Sequence, residues 1–206
     1  GASMGDRLDR LFSCAKEGLW LSRGDINYAR DFLFRDDALT NNDTYRALYV
    51  VFLSERPSSE GEKLLNQFLG DDADDYIRFG ALKGLIRYWE LGDKYKEYIY
   101  RTISEKFGNE NYIESISFLL SYILTRISEP CWGEFIDLIV GIIDSVINIG
   151  IDKLEFDQEV AFLNLCGHIL DVYEEEDMYT RGDLDLDGAF KISGKLKTYL
   201  LHLRTS

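Results

Sequence analysis

The strongest constraint on this chain is a set of apolar residues recurring at helical spacing, segment after segment, from about Asp25 to the C-terminus. Short polar turns separate the segments. Residues three and four apart share a helix face, so each segment specifies one apolar stripe. The segments come in pairs, and one pair is too small to enclose its own apolar face. Neighbouring pairs must therefore stack, as in helical repeats. Pairs open near Asp25, Ser58, Asp93 and Cys131, and their second members near Asp43, Asp74, Asn111 and Phe156. The offsets between pair starts are about 33, 35 and 38 residues, within the range of helix-hairpin repeats. Lengthening offsets imply a degenerate array, and an irregular helical bundle accounts for the same periodicity.

Turn chemistry supplies the boundaries. Leu8, Leu11, Phe12, Ala15 and Leu19 form one face of a first helix over Asp6 to Leu21, with Gly24 ending it and Asp25 capping the next. Asn41-Asn42-Asp43 opens a helix through Leu53, and Ser59-Glu60-Gly61-Glu62 has capping-box spacing. Asp74 or Asp75 caps a long helix reaching Trp89, within which Gly80 and Gly84 permit close helix packing. Further helices are expected over 112–127, 134–149, 156–173 and 190–203, with a loop at 180–187. The expected fold class is all-α: an irregular right-handed array of antiparallel helix hairpins with about nine or ten helices.

Of 206 residues, 46% are hydrophobic and only two are proline, a composition that supports a packed core rather than disorder. Gly1-Ala2-Ser3 reads as an expression-tag remnant, leaving 4–206 as a single helical domain. The longest apolar stretch, Phe135 to Ile151, is interrupted by Asp137, Asp144 and Asn148 and is short for a membrane span. Cys14, Cys131 and Cys166 form neither a CxxC nor a zinc pattern and read as free thiols. The expected location is cytoplasmic, with no cofactor.

Net charge is −14, which opposes binding to nucleic acid or an anionic membrane and favours a basic protein partner. The charge is unevenly spread. Asp157 to Asp187 holds ten acids against Arg181 alone, whereas Gly188 to Ser206 carries Lys191, Lys195, Lys197 and Arg204 and no acid. The basic tail could fold back on the acidic stretch, or the two could serve different contacts.

The run Asp74-Asp75-Tyr76-Ile77-Arg78-Phe79-Gly80-Ala81-Leu82-Lys83-Gly84-Leu85 resembles the second helix of a HEAT repeat. Asp43-Thr44-Tyr45-Arg46-Ala47-Leu48 is a weaker echo, and Asp157-Gln158-Glu159-Val160-Ala161-Phe162-Leu163 lacks the arginine. The resemblance implies second helices lining an inner face and an Asp/Arg pair that fixes neighbouring repeats, which makes Arg78 as much a structural residue as a functional one. Small acidic HEAT-like proteins also resemble immunity proteins of bacterial toxin systems.

Candidate chemistry is sparse. Asp183-Leu184-Asp185-Leu186-Asp187-Gly188 has the spacing of a calcium loop, but Gly194 stands where the bidentate acid belongs, and an acidic loop capping the last helix uses the same residues. Cys166 and His168 are two apart, so a helix sends them to different sides. Glu174-Glu175-Glu176-Asp177 fans outward on a helix and reads as a solvated face rather than a metal cluster. Tyr88, Trp89, Tyr95, Tyr98 and Tyr100 gather around the Gly92 turn, with Trp89 assigned to packing and the tyrosines partly to the surface.

These readings converge on a non-enzymatic protein-binding module, in its most specific form an acidic immunity-type inhibitor of a basic toxin. The expected docking residues are Asp75, Arg87, Asn111, Glu114, Tyr122, Asp171, Glu174, Glu175 and Asp177. The alternatives are a HEAT-like DNA glycosylase, which the acidic charge opposes, and a scaffolding subunit marked by an exposed apolar patch at one end of the array.

Overall fold

The computed structural model describes residues 4–173 and 181–205. Among these are ten α-helices and no strand. The chain divides into two compact units, Gly1–Lys96 and Glu97–Ser206.

The first unit holds α1 (Met4–Lys16), α2 (Arg23–Phe32), α3 (Asp43–Ser54), α4 (Ser59–Asn66) and α5 (Asp75–Leu82), the last running into a π-helical segment, Lys83–Tyr88. Helix α3 is central and packs on α1, α2 and α5. It buries Ala47, Leu48, Val50, Val51 and Phe52 on nearly its whole circumference, as a helix enclosed by others must. Each large side chain contributes about 1.5–3 kcal/mol by leaving water. Gly80 and Gly84 let neighbours approach: a Cβ on Gly80 would lie 2.9 Å from Cδ2 of Tyr45, and one on Gly84 would lie 2.4 Å from Cδ2 of Phe52. Trp89 is buried against Gly61, and its indole N–H donates to the Phe52 carbonyl at 3.0 Å.

Helix α1 ends earlier than the periodicity suggests. Gly18 adopts φ 73°, the Gly18 N–H bonds Ala15 O, and the Leu19 N–H bonds Cys14 O, the paired bonds of a Schellman stop. Gly18 rather than Gly24 is the terminator, so Leu19 leaves the apolar face. Ser22, not Asp25, caps α2, accepting the Asp25 N–H at 3.1 Å. Ser58 likewise caps α4 one residue before the expected position.

The second unit holds α6 (Lys96–Lys106), α7 (Ile113–Leu124), α8 (Glu134–Ile149), α9 (Phe156–Val172) and α10 (Leu186–Thr205). Helix α7 packs on α9, and α10 packs on α8 and α9. Trp132, Phe135 and Phe162 fill the core. In both units successive second helices lie side by side, α3 with α5 and α7 with α9.

Arg78 is fully buried. It donates to the carbonyls of Gly70 and Ala73 at 3.0 and 2.8 Å and pairs with Asp75 at 3.2 Å. It thereby satisfies the buried Ala73 carbonyl and ties the exposed Gly70 carbonyl to α5, which is a structural role.

Candidate protein-interaction surfaces

Formal charge falls mainly on one unit. Gly1–Lys96 contains 14 basic and 17 acidic residues, a net of −3, whereas Glu97–Ser206 contains 9 and 20, a net of −11. The basic tail is turned against α8. Lys197 pairs with Asp144 at 2.5 Å and Arg204 pairs with Asp137. Of the bases near the 157–187 stretch, Arg181 holds Asp171 at 2.6 Å.

The expected docking residues fall in different settings. Asp75 is half-buried with its carboxylate on Arg78, whereas Arg87 is exposed. Asn111 and Glu114 are exposed together at the start of α7. Tyr122 is half-buried, edge-on to Trp132 and 4.7 Å beneath the Arg126 guanidinium. Asp171 is exposed but engaged by Arg181. Glu174, Glu175 and Asp177 lie outside the described residues. Asp75 and Arg87 belong to the first unit, and the other four described residues to the second.

Two apolar outcrops escaped the sequence reading. In the first unit, the Gly18 turn leaves Trp20 86% exposed with Leu19 beside it, bordering a cleft of about 440 Å3 lined by Ala15, Ile26 and Leu53. Gly18 carried the signal for this turn. In the second unit, Phe156 is 74% exposed at the first position of α9; the preceding turn carries Asp152 and Glu155, and the first turn of α9 carries Asp157 and Glu159. A capping box between Glu155 and Gln158 fixes this corner. Gln158 of that corner also lines an open groove of about 530 Å3 between α6 and α8. Its walls are Tyr100 and Phe107 on one side and Leu138, Ile142 and Ile149 on the other. Its floor has bare backbone at Gly141, where a Cβ would meet nothing within 4 Å.

The first unit also carries an aromatic cluster. Tyr45 stacks on Tyr76 at 4.2 Å, and Phe52 on Tyr88 at 5.1 Å. Lys83 Nζ donates to the Tyr45 hydroxyl at 2.8 Å and lies 4.0 Å from the Phe79 ring centroid. Burial raises the Tyr45 and Tyr49 phenols above their ordinary value, which keeps both protonated at neutral pH. Tyr76 and Tyr88 are exposed; Tyr95 instead bonds Glu62 and Asn66.

His168 joins a polar network that its sequence neighbours do not announce. Its Nε2 lies 2.8 Å from Ser117 Oγ, and its Nδ1 lies 3.2 Å from Arg181 Nη1. A guanidinium only donates, so Nδ1 must accept and Nε2 carries the proton, which it gives to Ser117. Burial, and then the Arg181 charge, lower the imidazole to about 4, so it is neutral at pH 7. With its lone pair turned away from Ser117, the imidazole is not placed to take that hydroxyl's proton. A Cβ on Gly167 would lie 3.1 Å from Arg181 Cγ, so the glycine lets the arginine lie across α9. Cys166 is buried, which pushes its thiol up to about 12 and keeps it protonated.

The 183–188 segment caps a helix. Asp185 Oδ1 accepts the Gly188 N–H at 2.7 Å, and α10 starts at Leu186, four residues before the expected position. Gly188 is buried in the first turn of α10 instead of forming the turn of a calcium loop. Among the described residues no three His, Cys, Asp or Glu side chains converge as a metal site, and no helix is long and apolar enough to cross a membrane. Comparison with protein-family models, curated proteins and solved structures finds no match.

Proposed function

We propose that this protein is a HEAT-like, non-catalytic binding module that captures a basic protein through its second unit. The observation that carries this reading is the net charge of −11 on Glu97–Ser206, combined there with an exposed phenylalanine in an acidic turn. Clustered carboxylates raise the encounter rate with a basic partner, and an exposed aromatic anchor supplies contact area once the surfaces meet. Its most specific form is an immunity-type inhibitor that neutralises a basic toxin. The test is capture on the immobilised protein followed by a salt gradient. A basic partner released by rising salt supports the reading, and an acidic or salt-insensitive partner counts against it. For the immunity form, the captured protein must arrest growth when produced alone, and co-production of this chain must restore growth.

A scaffolding role is favoured by one separate observation, the exposure of Leu19 and Trp20 beside the cleft in the first unit. Exposed contiguous apolar surface marks interaction sites. Self-association or complex formation lost in Trp20→Ser, with basic-protein capture retained, would assign that corner to assembly.

A further inference from the structure

The groove between α6 and α8 has a shape and surroundings that select an occupant. It runs from Tyr100 and Asp137 to Phe107, Ile149 and Gln158. The Tyr100 and Phe135 rings meet at 5.5 Å at the first end, and Gly108 lies against Gln158 at the other. Twelve residues of α8 separate Asp137 from Ile149, so the groove is roughly 18 Å long at 1.5 Å per residue, about three helical turns. Leu138, Ile142 and Ile149 present apolar surface to it, and Gly141 leaves a gap in mid-groove into which a foreign side chain can reach the backbone.

The charge nearby has one sign in excess. Helix α8 carries Glu134, Asp137 and Asp144 and no base. Asp137 and Asp144 are already paired with Arg204 and Lys197. The corner beside Gln158 differs: Asp152, Asp157 and Glu159 make no ion pair among the described residues, and Lys153 is the one base in that turn. Helix α6 carries Lys96, Arg101 and Lys106 against Glu97 and Glu105, so the acidic excess lies on the α8 and 151–159 side.

We infer that this groove docks an amphipathic basic helix of a partner protein, its apolar residues at i, i+4 and i+11 lying along Leu138, Ile142 and Ile149 and its basic residues meeting the Asp152–Glu159 corner. This is the helix-in-groove mode of recognition. The inference rests on the basic-partner reading and adds the place and form of contact.

The test uses the intact protein and a fluorescein-labelled 14-residue Leu/Lys peptide of amphipathic helical pattern, read by anisotropy. Two further peptides accompany it, one with Glu replacing Lys and one with the Leu/Lys order scrambled. The Leu/Lys helix is expected to bind saturably, at least tenfold tighter than either control. Gly141→Phe fills the mid-groove gap and is expected to weaken binding at least tenfold; Ser145→Arg, at an exposed groove position, serves if that variant does not fold. Asp152→Lys with Asp157→Lys is expected to weaken binding severalfold and flatten its salt dependence. Equal binding by the Glu peptide contradicts the basic-partner reading itself. No binding of the Leu/Lys helix, binding unchanged by both groove variants, or equal binding by the scrambled peptide overturns the groove, and the last two outcomes leave the basic-partner reading standing. A dimer of the protein that Gly141→Phe dissociates would make a second copy the occupant and also overturn it.

Discussion

Gly84 and Gly141 sit in helical segments of opposite environment, and alanine at each should shift stability in opposite directions. Replacing a helical glycine by alanine gains about 1 kcal/mol through backbone entropy alone. At Gly141 a Cβ meets nothing within 4 Å, so that gain is kept in full. At Gly84 the Cβ would lie 2.4 Å from Phe52 Cδ2, 2.8 Å from Phe52 Cγ and 2.9 Å from Leu65 Cδ2. Phe52 and Leu65 are both buried, and Phe52 stacks on Tyr88 at 5.1 Å, so relief requires several core side chains to move together. Such overpacking costs about 1–3 kcal/mol, and contacts this short place the cost at the upper end. The net expectation is a loss of about 2 kcal/mol for Gly84→Ala and a gain of about 1 kcal/mol for Gly141→Ala. For a chain of this length that is roughly −4 to −8 °C against +2 to +4 °C in Tm. Thermal and urea unfolding followed by far-UV circular dichroism measure both. Gly84→Ala equal to or more stable than wild type would refute the packing of the π-helical segment against α3 and α4.

Three further outcomes follow from single sites. The folded His168 imidazole is lowered to about 4 from an ordinary value of 6.5, so its contribution to stability is complete above pH 6.5 and is lost as pH falls toward 4, a difference of roughly 3 kcal/mol. Urea titrations from pH 4 to 7 should show wild type losing stability relative to His168→Gln on acidification, and parallel profiles would contradict the network. Arg78→Met removes the donor to the buried Ala73 carbonyl and the partner of Asp75, and should cost about 3 kcal/mol, visible as a large drop in the urea midpoint. Glu90 adopts φ 55° where glycine is at ease, so Glu90→Gly should raise stability by about 1 kcal/mol; an unchanged or lower melting temperature would show that residue to be unstrained.

Helix number and placement were legible because period and turn chemistry are local signals. The expected 134–149 helix coincides with α8, and α9 ends within one residue of its expected end. Glycines demanded by neighbours, Gly80 and Gly84, were also legible, since glycine inside a helical pattern needs a packing reason. What was not legible depended on choosing between competing stop signals or on long-range pairing. Gly24 masked the stop at Gly18, and the exposed Trp20 was missed with it. Ser117 and His168 meet across 51 residues of sequence, and no local pattern announces such a pair. Charge composition gives no geometry and so names no partner for the basic tail; the structure turns Lys197 and Arg204 onto α8. With Asp137 and Asp144 so engaged, Asp152, Asp157 and Glu159 are acids of the second unit that make no ion pair among the described residues.

The most direct test of the account is an amide hydrogen-exchange map of the protein with and without its captured basic partner. The account predicts new protection in the second unit, concentrated in α8 and the 151–159 turn, and none confined to residues 4–96. Protection restricted to the first unit, around the Trp20 turn or the Tyr45–Tyr76 cluster, would contradict the claim that the acidic unit is the docking surface.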